Sequence, residues 1–142
     1  MTRARRVLLI AASLAATAGG VAACGSEGIS PKLDPEQHQA AVLFDQRCSG
    51  CHTLSVAGTQ GSATNVRTRE YKDGPNFDQR KVTTNCALYA IRNGGFSSGP
   101  MPQNIVTGAD AELLAKFLDQ VSGSDVHIAP GATTPPDCPP AG

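Results

Sequence analysis

The stretch Leu43-Phe44-Asp45-Gln46-Arg47-Cys48-Ser49-Gly50-Cys51-His52 decides how this chain is read. Its last five residues have the form C-x-x-C-H, the spacing used for covalent attachment of a c-type haem. Two thiols at this spacing reach the two vinyl groups on one side of the macrocycle and form thioethers. The adjacent His52 is then carried beneath the iron as an axial ligand. Paired cysteines also serve as a redox dithiol of thioredoxin type or as half of a zinc site. The dithiol belongs in a βαβ context, which the surrounding pattern does not offer. The zinc site needs a further ligand pair, and no second C-x-x-C occurs.

Working outward, Asp34-Pro35-Glu36-Gln37 has the features of a helix start: an N-cap, a proline in the first turn and a capping-box partner. The pattern predicts a helix to about Arg47, with Ala40, Leu43, Phe44 and Arg47 along one face. Residues 53–70 are rich in Thr, Ser, Gly and Asn without a period and read as loop, and residues 72–76 read as a turn. A second helix is expected over Val82 to Arg92, with Val82, Cys86, Tyr89 and Ala90 on one face and Leu88 and Ile91 alongside, stopped by Asn93-Gly94-Gly95. An irregular loop carries Gly99-Pro100-Met101-Pro102. Thr107 opens a third helix with Asp110 at the capping-box position, a stripe of Leu113, Leu114, Phe117, Leu118 and Val121, and an end at Gly123. The class is all-α: about three helices and long loops wrapped around one covalent haem, in a domain spanning 34–122. The tail 123–142 holds five prolines and supports neither helix nor core strand.

The N-terminus reads as an export signal over 1–23. Arg3, Arg5 and Arg6 precede an apolar run from Val7 to Ala18, and small residues lead up to Cys24. A cysteine directly after such a cleavage point resembles the bacterial lipobox, in which its thiol is lipidated. An ordinary secretory signal with a chance cysteine is the alternative. The run is too short for a spanning helix, which needs about 20 apolar residues. Residues 24–33 are Gly- and Ser-containing and read as a flexible tether.

The full chain has 142 residues with twelve basic and twelve acidic side chains, so its net charge is zero. A nucleic-acid partner is not expected without a basic excess. Losing 1–23 removes three arginines and no acid, leaving about −3. Only 4% of the residues are aromatic and none is Trp, a poor supply for a self-sufficient core. A large buried cofactor would make up that deficit.

Beyond the C-x-x-C-H motif, three segments resemble the mono-haem class I cytochromes c, and the resemblance covers about 34–122. Ala40-x-x-Leu43-Phe44-x-x-x-Cys48 is similar to the family's first helix, where a small residue lets the last helix cross closely. Phe117 is placed like the aromatic of that last helix. Gly74-Pro75-Asn76-Phe77 resembles the family's Gly-Pro-Asn-Leu turn, with Phe77 in the leucine position. The segment from Ala90 to Gly95, followed by Met101-Pro102, resembles the helix and loop that deliver an axial methionine. The resemblance implies that the Pro75 carbonyl accepts a hydrogen bond from the distal ring nitrogen of His52.

The sixth ligand is also legible without the family. Met occurs twice, and Met1 leaves with the signal, so Met101 is the one thioether of the mature chain. His38 and His127 compete with it, one on a helix and one in the tail. Arg67, Arg69 and Tyr71 are candidates for the haem propionates. With Cys24, Cys48 and Cys51 assigned, Cys86 and Cys138 remain, and in an exported protein they suggest a disulfide.

With both axial positions filled by protein, the expected function is one-electron transfer, not catalysis. The expected protein is a monomer, lipid-anchored on the extracytoplasmic side of a bacterial membrane. Its partners would be membrane redox complexes or other cytochromes in a respiratory or other redox chain. A haem enzyme or small-ligand sensor with a labile methionine, and a non-haem thiol-redox or interaction lipoprotein, are the alternatives.

Overall fold

The computed structural model describes residues 28–63, 65–96, 99–125 and Cys138. Residues 1–23, Cys24, His127 and the rest of the tail lie outside the described residues. The main elements are helix α1 (Pro35–Cys48), a short hairpin of β1 (Thr53–Leu54) and β2 (Thr59–Gln60), helix α2 (Thr84–Asn93) and helix α3 (Gly108–Val121). Single 3-10 turns occupy Ser55–Ala57 and Val66–Thr68. No helix among the described residues is long and apolar enough to cross a membrane.

Helix α1 starts as its sequence dictates. Asp34 Oδ1 accepts from the Gln37 amide at 2.8 Å, and the Gln37 side chain accepts from the Asp34 amide at 3.3 Å, with Pro35 in the first turn. Its buried face is Ala40, Ala41 and Phe44, while Leu43 is half-buried and Arg47 exposed. The expected stripe is therefore rotated by part of a turn. Alanines 40 and 41 on α1 face a core that also contains Ala111 and Ala115 of α3. Small side chains on both helices let their backbones approach closely. Phe44 and Phe117 are the largest fully buried side chains.

Helix α2 begins at Thr84, two residues after the expected start. Thr83 stays extended and its hydroxyl accepts from the Cys86 amide at 3.3 Å, capping the helix. The buried residues are Cys86, Ala87 and Ile91. Tyr89 is half-buried at the margin and stacks on Phe96 of the following loop, with centroids 5.3 Å apart. Gly94 ends the helix in the left-handed conformation at φ 75°.

Helix α3 departs from the expected capping box. Gly108 enters left-handed at φ 61°, and the Thr107 side chain makes no capping bond. The apolar stripe holds, with Leu114, Phe117 and Leu118 buried, and Val121 and Leu113 packed at its margin.

Helices α2 and α3 are locked at one end by polar side chains. Asp119 Oδ2 accepts from the Thr84 amide at 3.0 Å and its hydroxyl at 2.7 Å. Lys81 pairs with Asp119 at 3.5 Å and also donates to its carbonyl. The Ser122 hydroxyl accepts from the Val82 amide. Burial raises the Asp119 carboxyl, but the Thr84 bonds and Lys81 outweigh it and hold the group below its ordinary 3.8.

Residues 53–70 are not simple loop. Thr53 pairs with Gln60 and Leu54 with Thr59 in an antiparallel ladder. The buried Thr59 hydroxyl accepts from the Leu54 amide and donates to the His52 carbonyl. Ser62 and Thr53 exchange two side-chain bonds. These small polar residues satisfy backbone groups that so tight a turn would otherwise bury unpaired. The tether also ends sooner than expected. Ile29 and Leu33 pack against the core, and the Ser30 amide donates to the Val56 carbonyl at 3.0 Å.

Candidate haem-binding site

Cys48 closes α1, and the chain then tightens: the amides of Cys51 and His52 both donate to the Cys48 carbonyl. The two cysteines and His52 thus follow the helix end as one compact turn. The Gly61 amide and the Thr59 hydroxyl both donate to the His52 carbonyl, so the hairpin holds the motif from its far side.

His52 is buried, and three groups determine its ring. Its Nδ1 lies 3.0 Å from the Pro75 carbonyl oxygen. A carbonyl can only accept, so Nδ1 carries the proton and Nε2 the lone pair. Gly74 lies directly against the ring: a Cβ there would come 2.7 Å from Nδ1 and 2.8 Å from Nε2. Phe77 stacks on the imidazole with centroids 4.9 Å apart and planes 19° apart. Burial pushes the His52 pKa below 6.5, and the Pro75 bond opposes this only in part. The imidazole is therefore neutral near neutral pH, the state in which it can ligate a metal.

The turn that presents Pro75 is itself braced. The Gly74 amide donates to the Cys51 carbonyl at 2.7 Å, and the Phe77 amide to the Thr53 carbonyl at 2.9 Å. Asp73 is buried and accepts from the Glu70 amide at 2.7 Å and from Lys72 at 2.9 Å. Those bonds hold its carboxyl below the usual range. Asp78, also buried, accepts from both the amide and the hydroxyl of Ser55. Sequence reasoning did not single out Asp73, Asp78 or the roles of Gly74 and Phe77. Only the Gly-Pro-Asn-Phe turn signalled that this segment meets the site.

Met101 is half-buried against the core, on the loop between α2 and α3. Gly95, at φ 86°, lies against its side chain: a Cβ there would come 3.8 Å from Sδ. A Cβ on Gly94 would meet the Met101 carbonyl at 2.7 Å. The Asn104 amide donates to the Ile91 carbonyl at 2.9 Å, tying the far end of the loop back to α2. The glycines that stop α2 thus also let the methionine loop fold onto the helix end.

The other candidates separate. His38 is exposed on α1. Arg67 and Tyr71 are exposed, and Arg69 donates to the Asp73 carbonyl at 3.5 Å. Cys86 and Cys138 are joined as a disulfide, with Cα atoms 4.9 Å apart.

The donor set suits a covalent haem. It comprises two free thiols, one oriented neutral imidazole and one thioether. Cys48, Phe77, Leu88, Met101 and Ile105 pack on the core while leaving apolar surface uncovered, which an apolar macrocycle can cover. It suits a thiol-redox centre less well. Burial, with the neighbouring Cys51, pushes the Cys48 thiol up to about 12. Redox dithiols instead need a depressed value.

Comparison with known proteins agrees with this geometry. The family model described as Cytochrome c matches residues 30–122, more than half of the chain. The chain is also 27% identical over 107 residues to cytochrome c-551 of Bacillus subtilis (strain 168), covering 70% of this chain and 83% of that relative. A mostly helical chain with a C-x-x-C-H turn, a braced histidine and this family match belongs to the cytochrome c family, as a mono-haem class I member that binds haem c covalently and carries electrons.

Proposed function

We propose that this cytochrome is anchored by lipid on Cys24 to the extracytoplasmic side of a bacterial membrane. There it passes single electrons between membrane redox complexes or other cytochromes of a respiratory or related chain. In this reading Cys48 and Cys51 form the two thioethers, and His52 and Met101 are the axial ligands. The observation that carries it is the fixed tautomer of His52. The Pro75 carbonyl holds the proton on Nδ1 and leaves Nε2 as the one nitrogen able to ligate.

The bound haem supplies a one-electron ferric–ferrous couple. The protein does the rest. Cys48 and Cys51 tether the group at the end of α1. Pro75 and Gly74 hold the imidazole in one orientation, so little rearranges between redox states. The thioether of Met101 favours the reduced form and raises the potential relative to bis-histidine ligation. Phe44, Phe117 and Leu114 exclude water from the surrounding core. With His52 and Met101 both ligating, no position remains for a substrate.

The test is an optical spectrum of protein expressed with a cytochrome c maturation system. Covalent haem with a low-spin ferric spectrum and the weak far-red band of iron–methionine ligation is expected. A high-spin ferric spectrum would instead favour an enzyme or sensor with a labile Met101. Anchoring is tested separately: Cys24→Ser should move the holoprotein from the membrane to the soluble fraction. Recovery of that variant in the membrane would overturn the lipid assignment.

A further inference from the structure

We propose that Phe77 is a positioning residue that lowers the reduction potential by holding an aromatic face against the His52 imidazole. The inference rests on the reading of His52 as an axial ligand and goes beyond it.

The two rings are near parallel, 19° apart in plane and 4.9 Å between centroids. Phe44 does not share this geometry: it is tilted by 60° to His52 at 6.4 Å. Phe44 instead meets Phe77 edge-on, at 6.0 Å and 73°, and so supports it from the core. The Phe77 backbone is held at both ends. Its amide donates to the Thr53 carbonyl next to His52, and its carbonyl accepts from the Gly123 amide just past α3 at 2.7 Å. Phe77 is thus anchored both to β1, directly after the C-x-x-C-H turn, and to the segment just past α3, which fixes where its backbone sits.

An aromatic face carries the negative lobe of the ring quadrupole and attracts positive charge. An imidazole that ligates through Nε2 and donates through Nδ1 carries more positive charge when the metal is ferric than when it is ferrous. The Phe77 face therefore stabilises the oxidised state more than the reduced one. The same site with an aliphatic side chain lacks this term. Phe77 acts through His52 and touches no reacting atom in this account.

The wild-type ferric spectrum comes first. Absence of the far-red band there would overturn the Met101 reading, and absence of covalent haem would overturn the His52 reading and this inference with it. With the band present, Phe77→Leu and a variant carrying pentafluorophenylalanine at position 77 are compared with wild type by redox titration. Pentafluorophenylalanine has nearly the same shape and an inverted quadrupole. Both variants should keep the band and show a higher potential. The ferric-to-ferrous ratio at fixed ambient potential should fall by about threefold, which is about 30 mV at 59 mV per decade for one electron. Phe44→Leu should shift it less, because Phe44 has no face against His52. An unchanged potential in the pentafluorophenylalanine variant, with the band intact, overturns the proposal. So does an equal shift in Phe44→Leu, which would mark a general loosening of the core. If Phe77→Leu fails to mature, the pentafluorophenylalanine variant decides the question.

Discussion

Gly74→Ala should damage this protein out of proportion to one added methyl group. The new Cβ would stand 2.7 Å from Nδ1 and 2.8 Å from Nε2 of His52, where ordinary contact begins at 3.4 Å. Cε1 of the same ring would be closer still, so ring or turn must retreat by more than about 0.7 Å to restore ordinary contact. The turn is poorly able to move, because the Gly74 amide donates to the Cys51 carbonyl at 2.7 Å. The bond from Nδ1 to the Pro75 oxygen starts at 3.0 Å. A retreat of that size takes it beyond about 3.6 Å, where it is no longer a hydrogen bond. Losing that bond costs about 1 kcal/mol, and overpacking a tight site costs a further 1–3 kcal/mol or so. A total of about 2–4 kcal/mol lowers the melting temperature by roughly 8–32 °C for a domain of this size. The potential should also rise, because an imidazole released from the Pro75 carbonyl donates less charge to the metal. Thermal unfolding of holoprotein and a redox titration read both effects. Gly50→Ala is the matched control, since a Cβ there meets nothing within 4 Å. A Gly74→Ala holoprotein with wild-type melting temperature and potential would refute the close-approach argument.

Met101→Ala should abolish the far-red ferric band and open the iron, and Met101→His should lower the potential; an unchanged spectrum in either would remove Met101 as the ligand. Cys86→Ser should cost about 4 kcal/mol by chain-entropy reasoning for a 52-residue separation, and denatured, unreduced wild-type holoprotein should yield no alkylatable thiol at Cys86 or Cys138. Asp119 has a depressed folded-state pKa, so its contribution is present above the unfolded value, near 3.8, and is lost as acid carries the pH down through the folded value. Asp119→Asn should accordingly flatten the acid limb of the stability profile below about pH 4, and a variant with the wild-type acid limb would contradict the pairing with Thr84 and Lys81. Asp78→Ala leaves the amide and hydroxyl of Ser55 without their acceptor, and a loss of about 1.5–3 kcal/mol is expected in denaturant unfolding of the holoprotein.

What was legible in the chain has a common character: its signals lie within a turn or two of one another. The capping box of Asp34 and Gln37, the C-x-x-C-H turn, the left-handed stop at Gly94 and the apolar stripe of α3 are each local. The hairpin at 53–60 escaped notice because two-residue strands are too short to show a period. The Ser and Thr residues that suggested a loop instead bond the backbone of that hairpin. The capping box expected at Thr107 does not form, and the following Gly108 is left-handed, a conformation the local pattern did not signal. On α2 the expected face holds at Cys86 and at the neighbouring Ile91, while Tyr89 is half-buried and stacks on Phe96 in the next loop.

C-x-x-C-H, Met101 and the scarcity of aromatic residues already pointed to a haem protein with histidine and methionine ligands, because covalent attachment demands residue types at fixed spacing. The family match bears out the haem. The tertiary structure decided how the histidine is held. Pro75 is 23 residues from His52, and Gly74 and Phe77 meet the same ring from that turn. Which backbone atom accepts the proton, which residue must lack a Cβ and which ring lies face-on depend on how two distant segments pack. Those distances follow from the whole core, held by Asp78, Ser55 and the end of α3, and no local spacing encodes them.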